Sequence, residues 1–358
     1  MYTHQYLEEF TARLFEQMGC PVHDAKAVAE LLVKAELRGL SSHGMMRVKD
    51  YFLLVEAGRI NVKPNVRIVH ETPSTATVDG DGALGPVAAK RSMEIAIEKA
   101  KSVGTGWVAT KGSNHFGIAG YYSMMALEHD MVGIAMTNAN PLVAPTYSTS
   151  KLLGTNPIAV AIPTLHQPAF VADFATTPIA RGKLAIMGKK GEKIDYGFVQ
   201  DKHGNPSTDP DILLDGGAIL PLGGSADHAS HKGYCMGSLV DIFSAVFSGA
   251  NFGPFVPPQV AYLPLLEQSV GEGLGHFFGA MRIDAFRPAE EFKGKMDQWI
   301  ETFRNAKGIE GQPSVMIPGD PERLCEEQIS RDGIKLIAPV IKDLAEIAEK
   351  LNVAFRVE

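Results

Sequence analysis

The chain has 358 residues, enough for two or three units sharing a large apolar core rather than one small domain. With 45% hydrophobic residues, 21% charged residues and 36 glycines, it reads as a turn-rich globular protein and excludes a disordered or fibrous one. A formal net charge of −7 argues against nucleic-acid and acidic-membrane partners, so any anion must be met by a local site.

Three helices are predicted at the start. Thr3 caps a pattern of Leu7, Phe10, Leu14 and Met18 that Gly19 ends. Asp24 opens a second, from Val28 to Leu37 before Gly39, and Ser42 a third, from Met45 to Ala57 before Gly58. From Ser74 the period shortens, giving strand-like runs at Thr75 to Val78, Gly106 to Thr110, Val132 to Thr137, Ile158 to Ile162 and Ala169 to Asp173. Helical stretches fall among them, from Pro86 onward and from Ile118 to Glu128. The apolar run from Tyr234 to Phe247 contains Asp241 and is shorter than the roughly 20 residues a bilayer needs, so it reads as a buried helix. Beyond Pro288 the helical period returns in Phe292 to Phe303, Pro321 to Ser330 and Val340 to Leu351, with Gly311 to Pro318 as a connecting loop. The expectation is an α/β protein. A mixed β-sheet flanked by helices occupies 73–287, and 1–72 with 288–358 form a helical domain from both ends.

Cysteines number three (Cys20, Cys235, Cys325) and lack metal-site spacing, so neither a disulfide framework nor a structural zinc is expected. The first residues run straight into an amphipathic pattern without signal-peptide character. A reducing, cytoplasmic setting follows.

Gly80-Asp81-Gly82-Ala83-Leu84-Gly85 is a literal G-x-G-x-x-G between a strand and a helix. A dinucleotide fingerprint places an acidic ribose ligand about 20 residues on, at the end of the next strand. Here that strand ends at Lys111, and the preferred reading is a tight strand-to-helix turn without a ligand.

Chemistry concentrates elsewhere. In Ser42-His43-Gly44-Met45-Met46-Arg47 a histidine and an arginine lie one helical turn apart, and Arg47 offers a planar fork for a carboxylate. In Gly112-Ser113-Asn114-His115-Phe116-Gly117 a turn presents His115 just ahead of a helix, whose positive end disfavours imidazolium. A neutral imidazole accepts a hydroxyl proton, and Asn114 is suited to polarising the substrate oxygen. Polar groups also gather at element ends: Thr155-Asn156 before a strand, Asp173-Phe174-Ala175 after one, and His231-Lys232-Gly233 before a helix, where Lys232 suits a phosphate. The cluster Asp227 to His231 lacks further spaced ligands, so no metal is expected. A metal-dependent hydrolase or lyase, or a dinucleotide sensor without turnover, remain as readings from other classes.

On these residues the sequence resembles the type-2 malate/L-lactate dehydrogenase family, which includes ureidoglycolate and sulfolactate oxidoreductases. The motifs run from Ser42-His43-Gly44 through Ser113 to Gly117, Gly154-Thr155-Asn156-Pro157, Asp173 to Thr176 and His231 to Tyr234, to Pro318-Gly319-Asp320-Pro321-Glu322. The resemblance implies a non-Rossmann NAD-binding fold, a homodimer and a 2-hydroxy-acid or 2-oxo-acid substrate, with malate/oxaloacetate ahead of L-lactate and ureidoglycolate. It makes His115 the proton-transferring residue and His43 a second active-site histidine, with Arg47, Ser42 and Asn114 in the substrate site. Asn156, Asp173, Phe174, Ala175, Lys232, Gly233, Gly319 and Asp320 fall where the family holds NAD.

Overall fold

Thr3 caps the first helix as its hydroxyl accepts from the Tyr6 amide, and α1 (His4–Gln17) lays Leu7, Phe10, Leu14 and Phe15 against α2 (Val22–Leu37). The computed structural model describes residues 1–356. The third helix is shorter than expected: Ser41–His43 forms a 3₁₀ turn and α3 runs only over Arg47–Glu56. His43 and Arg47 therefore lie on two elements, not on one helical turn.

The sheet has seven strands, ordered β1 (Arg67–Glu71), β2 (Thr75–Asp79), β3 (Thr105–Ser113), β10 (Leu274–Arg282), β4 (Met131–Thr137), β5 (Ile158–Ile162) and β6 (Phe170–Phe174). Only the β2–β3 pair is parallel, so the sheet is mixed, as expected. The pattern missed its central strand. β10 carries Gly275 and Gly279, where a Cβ would stand 2.1 Å from the Ser244 carbonyl oxygen and 2.5 Å from the Trp107 ring. A strand buried on both faces and broken by obligatory glycines shows no period-two alternation.

One face of the sheet is covered by α4 (Gly85–Val103) and α5 (Ala119–Met125), whose Met93, Ile97 and Tyr122 pack with Val108, Ala135 and Phe278. Adjacent Phe277 points to the other face, where Phe243 stacks on it at 5.2 Å. Phe243 belongs to a π-helical turn, Ile242–Val246, that continues helix α7 (Ser230–Asp241). The expectation of a buried helix here is corrected. Leu239, Ile242, Val246 and Phe247 are 52%, 42%, 57% and 56% exposed and form a stripe at helical spacing on the outside of the chain.

Residues between β6 and α7 build a small subdomain that the sequence did not reveal. In it α6 (Arg181–Lys190) packs with a three-stranded sheet of β7 (Val199–Gln200), β8 (Pro206–Ser207) and β9 (Ala218–Ile219) around Leu184, Ile194 and Val199. Past the main sheet come α8 (Ala289–Arg304), α9 (Asp320–Asp332) and α10 (Ala338–Lys350). Val340, Leu344 and Ile347 of α10 share one core with α1, α2 and α3, and we propose this cluster as the domain built from both termini. β1 and α8 sit with the sheet instead: β1 pairs with β2, and Asp297 of α8 accepts the amides of Leu165, His166 and Gln167.

The glycine turn at 80–85 serves packing. Gly80 and Gly82 donate to the carbonyls of Lys111 and Gly112, and a Cβ on Gly85 would stand 2.0 Å from the His115 carbonyl oxygen. The turn is the floor beneath the His115 segment.

Candidate active site

Two chain turns meet to make the site. The first, Ser41–His43, is braced by Glu36 of α2, whose carboxylate accepts from Ser41 Oγ at 2.7 Å and from the Met45 amide at 2.8 Å. Gly44 makes room there, because its Cβ would lie 2.3 Å from Glu36 Oε1 and the carboxylate would have to shift. Arg47, at the start of α3, donates from Nε to the Ser42 carbonyl at 2.8 Å and from Nη1 to Asp50 at 2.9 Å. Nη2 makes no bond among the described residues.

The second turn follows β3, with Gly112 and Gly117 at φ of +63° and +79°. It places the His115 ring 5.5 Å from the His43 ring, near-parallel at 24°. Ser42, His43, Arg47 and His115 thus line one cleft of about 310 Å³. Both imidazoles are held neutral. Burial lowers the pKa of His43 to about 4, with the Arg47 charge adding to it. Burial also pushes His115 well below the usual imidazole value, followed by the charges of Arg47, His43 and His276. The cause expected from sequence was the positive end of the next helix. That end is occupied instead by Asp173, whose Oδ2 accepts from the Gly120 amide at 2.7 Å while burial lifts its carboxyl to about 6.

Several expected site residues take structural roles. Asn114 turns its carboxamide to the glycine turn, donating to the carbonyls of Gly82 at 3.2 Å and Ala83 at 2.8 Å. It lines a different cleft, of about 950 Å³, beside Arg67 and Asp79, which pair with each other at 2.6 Å. Asn156 is fully buried at a φ of +35°; it accepts from the Ala139 amide and donates to the Gly237 carbonyl. Asp320 is buried, holding Arg304 at 2.9 Å and the Ile317 amide at 3.0 Å. Gly319 packs on Val171, and Gly233 lets α7 reach the Leu222 backbone, where a Cβ would meet its carbonyl oxygen at 2.2 Å. Each of these residues thus has a packing or bonding role in the fold.

Other groups remain open. Phe174 is 40% exposed at the end of β6, with Ala175 half-buried beside it. Lys232 is exposed in the first turn of α7, where no side chain caps the helix. The Ser230 and Lys232 amides bond the Ser225 and Ala229 carbonyls, so the donor there that fits a dinucleotide phosphate is the Lys232 ammonium. Among the described residues no group of three His, Cys, Asp or Glu is placed to hold a metal ion.

Sequence reasoning missed three parts of the site. Tyr51 lies one turn beyond Arg47 on α3 and bonds His115; the spacing 43, 47, 51 is the signal that could have found it. His276, buried on β10, bridges Thr137 Oγ1 and Ser113 Oγ at 2.7 Å each and stacks on Phe116, and no motif announces it. Arg181, the first residue of α6, lines the same cleft as Arg47, from the small subdomain.

Comparison with known proteins gives the family. The family model described as malate/L-lactate dehydrogenase matches residues 2–345. A malate dehydrogenase of Pyrococcus horikoshii is 41% identical over 97% of this chain and 94% of its own. A ureidoglycolate dehydrogenase (NAD(+)) of Escherichia coli O157:H7 is 30% identical over 92% of this chain and 90% of its own. The solved sulfolactate dehydrogenase of Methanocaldococcus jannaschii superposes with a TM-score of 0.88 at 38% identity, covering 98% of this chain and 97% of that one. Fold and relatives converge: the chain belongs to the malate/L-lactate dehydrogenase family, enzymes of 2-hydroxy acids.

Proposed function

We propose that the protein interconverts malate and oxaloacetate with NAD, and that the substrate lies in the cleft shared by His43, Arg47, His115 and Arg181. The observation that carries this reading is the pair of guanidinium groups on one cleft, Arg47 from α3 and Arg181 from α6, next to two neutral imidazoles. A four-carbon diacid presents a carboxylate to each. Arg47 takes the one beside the reacting carbon, and Arg181 takes the distal one, which lactate lacks.

His115 accepts the C2 hydroxyl proton during oxidation and returns it during reduction. When bound, the nicotinamide supplies the hydride acceptor or donor at its C4. Ser42 Oγ lies 2.9 Å from His43 Nδ1; with the hydroxyl donating, the Nε2–H of His43 is left to donate to the substrate oxygen. Arg47 couples binding to proton transfer. Its charge opposes imidazolium formation at His115, and a bound carboxylate offsets that charge, so the substrate itself makes the acid form accessible.

For the cofactor, Asp173, Phe174 and Ala175 at the end of β6 and Lys232 with the first turn of α7 would hold the dinucleotide, with the Gly319-Asp320 turn against β6. The NAD(+) in one relative's name supports NAD over NADP. We further propose a cytoplasmic homodimer. The exposed stripe of Leu239, Ile242, Val246 and Phe247 suits burial against a second copy, and three free thiols suit a reducing compartment.

A panel of 2-oxo acids with NADH and NADPH, followed by loss of reduced-nicotinamide absorbance, tests the assignment. The largest kcat/KM is expected for oxaloacetate with NADH. Oxidation of neither cofactor by any 2-oxo acid contradicts it.

A further inference from the structure

Tyr51 is fully enclosed on α3, and its hydroxyl lies 2.9 Å from His115 Nδ1 and 3.1 Å from the His115 carbonyl oxygen. The three atoms have unequal capacities. A carbonyl oxygen only accepts, a phenol has one proton to give, and an imidazole nitrogen either donates or accepts. Burial pushes the Tyr51 pKa up, so the phenol keeps its proton. Two arrangements are then possible. If Tyr51 gives its proton to Nδ1, the His115 carbonyl loses its donor. If Tyr51 gives its proton to the carbonyl, its oxygen accepts from Nδ1–H and every group is satisfied. A buried polar atom left without a partner is costly enough to decide between them.

We propose that Tyr51 is the positioning residue that fixes His115 as the Nδ1–H tautomer, leaving the Nε2 lone pair for the substrate hydroxyl. The same bonds serve both ends of the proton transfer. When Nε2 takes a proton, Nδ1–H still donates to Tyr51 and Tyr51 still donates to the carbonyl, so nothing buried has to reorganise. Because Arg47 and Tyr51 are one turn apart on α3, a single helical segment carries the proposed substrate anchor and the group that orients the base. The role in catalysis rests on the reading of His115 given above; the tautomer itself does not.

The test is nitrogen-15 NMR of the imidazoles in the ligand-free protein, with His115 assigned by the signals lost in His115→Asn. The expected spectrum has His115 protonated at Nδ1 and unprotonated at Nε2, and the reverse would overturn the proposal. In Tyr51→Phe the tautomer ratio should move toward Nε2–H by about tenfold, since Nδ1–H then has no partner. Turnover of malate should fall by a similar factor, about tenfold, with KM changed much less. A variant with unchanged tautomer and turnover overturns the proposal. The Nδ1–H signature in a protein that turns over no 2-hydroxy acid would keep the tautomer assignment and remove the proposed function, whereas turnover with an Nε2–H signature does the opposite.

Discussion

The two guanidinium groups of the cleft, Arg181 and Arg47, should have separable effects. Arg181→Ala should raise KM for oxaloacetate at least tenfold while leaving pyruvate nearly unaffected, because only the diacid uses a second guanidinium; removing a charge-assisted hydrogen bond costs roughly 1.5–3 kcal/mol. Steady-state kinetics on both acids read this directly, and equal loss for both would place Arg181 outside the substrate site. Arg47→Met should raise the pKa of His115, since the Arg47 charge is the second cause of its depression after burial. An NMR titration of His115 measures the shift; a value that stays put or falls contradicts the coupling. At this scale the sequence singled out His43, Arg47 and His115, which the structure brings to one cleft. It was misleading where a polar residue serves the backbone. Asn114 and Asn156 read as ligand contacts, but their carboxamides are used on Gly82, Ala83, Ala139 and Gly237, long-range partners that local sequence does not specify.

The elements explain why these side chains stand so close. The 3₁₀ turn bearing His43 depends on a buried carboxylate one helix away, Glu36, and on the missing side chain at Gly44. Gly44→Ala should force Glu36 aside and open the turn, at a cost of about 1–3 kcal/mol, visible as a lower denaturant midpoint together with lost turnover. Wild-type stability and activity in that variant would mean the turn has slack that the geometry denies. Periodicity revealed the amphipathic helices α1, α8 and α10 and the strands β2, β4, β5 and β6 with bounds close to those observed. It failed for β10, where glycines required by Trp107 and Ser244 erase the pattern, and for the two-residue strands of the small subdomain. Missing that subdomain also meant missing Arg181, since nothing in a local window places α6 over a cleft built from the N-terminal turns and β3.

For the whole molecule, buried neutral histidines predict acid sensitivity. His43 and His276 titrate at about 4 and about 3 in the folded chain, and His115 well below 6.5, so the unfolded chain binds more protons once the pH drops below 6.5. Stability they contribute is complete above that value and is lost as the pH falls toward their folded values. Asp173, lifted to about 6 from 3.8, acts in the opposite sense between those two values, as do Glu8, Asp24, Glu36 and Asp241, which burial also raises; the histidine effect sets in first, from 6.5 downward. Thermal midpoints measured downward from neutral pH should therefore fall, and a midpoint that rises on acidification would contradict the balance. The outer stripe makes a second prediction at this scale: replacing Val246 and Phe247 by Asp should convert a dimer to a monomer in sedimentation, while a monomeric parent would refute the proposed assembly.

The family and the mixed sheet were legible in the sequence because motifs and strand periods are local. The meeting of His43, Arg47 and His115 was an expectation of the family resemblance; that Tyr51 and Arg181 join them was not legible, because long-range packing creates it. Initial rates of NADH oxidation by oxaloacetate, compared between the wild-type protein and His115→Ala, test the central claim most directly. The account predicts clear turnover in the first and a loss of about 10²–10⁴-fold in the second at unchanged NADH affinity; equal rates, or no turnover by the wild-type protein, would contradict it.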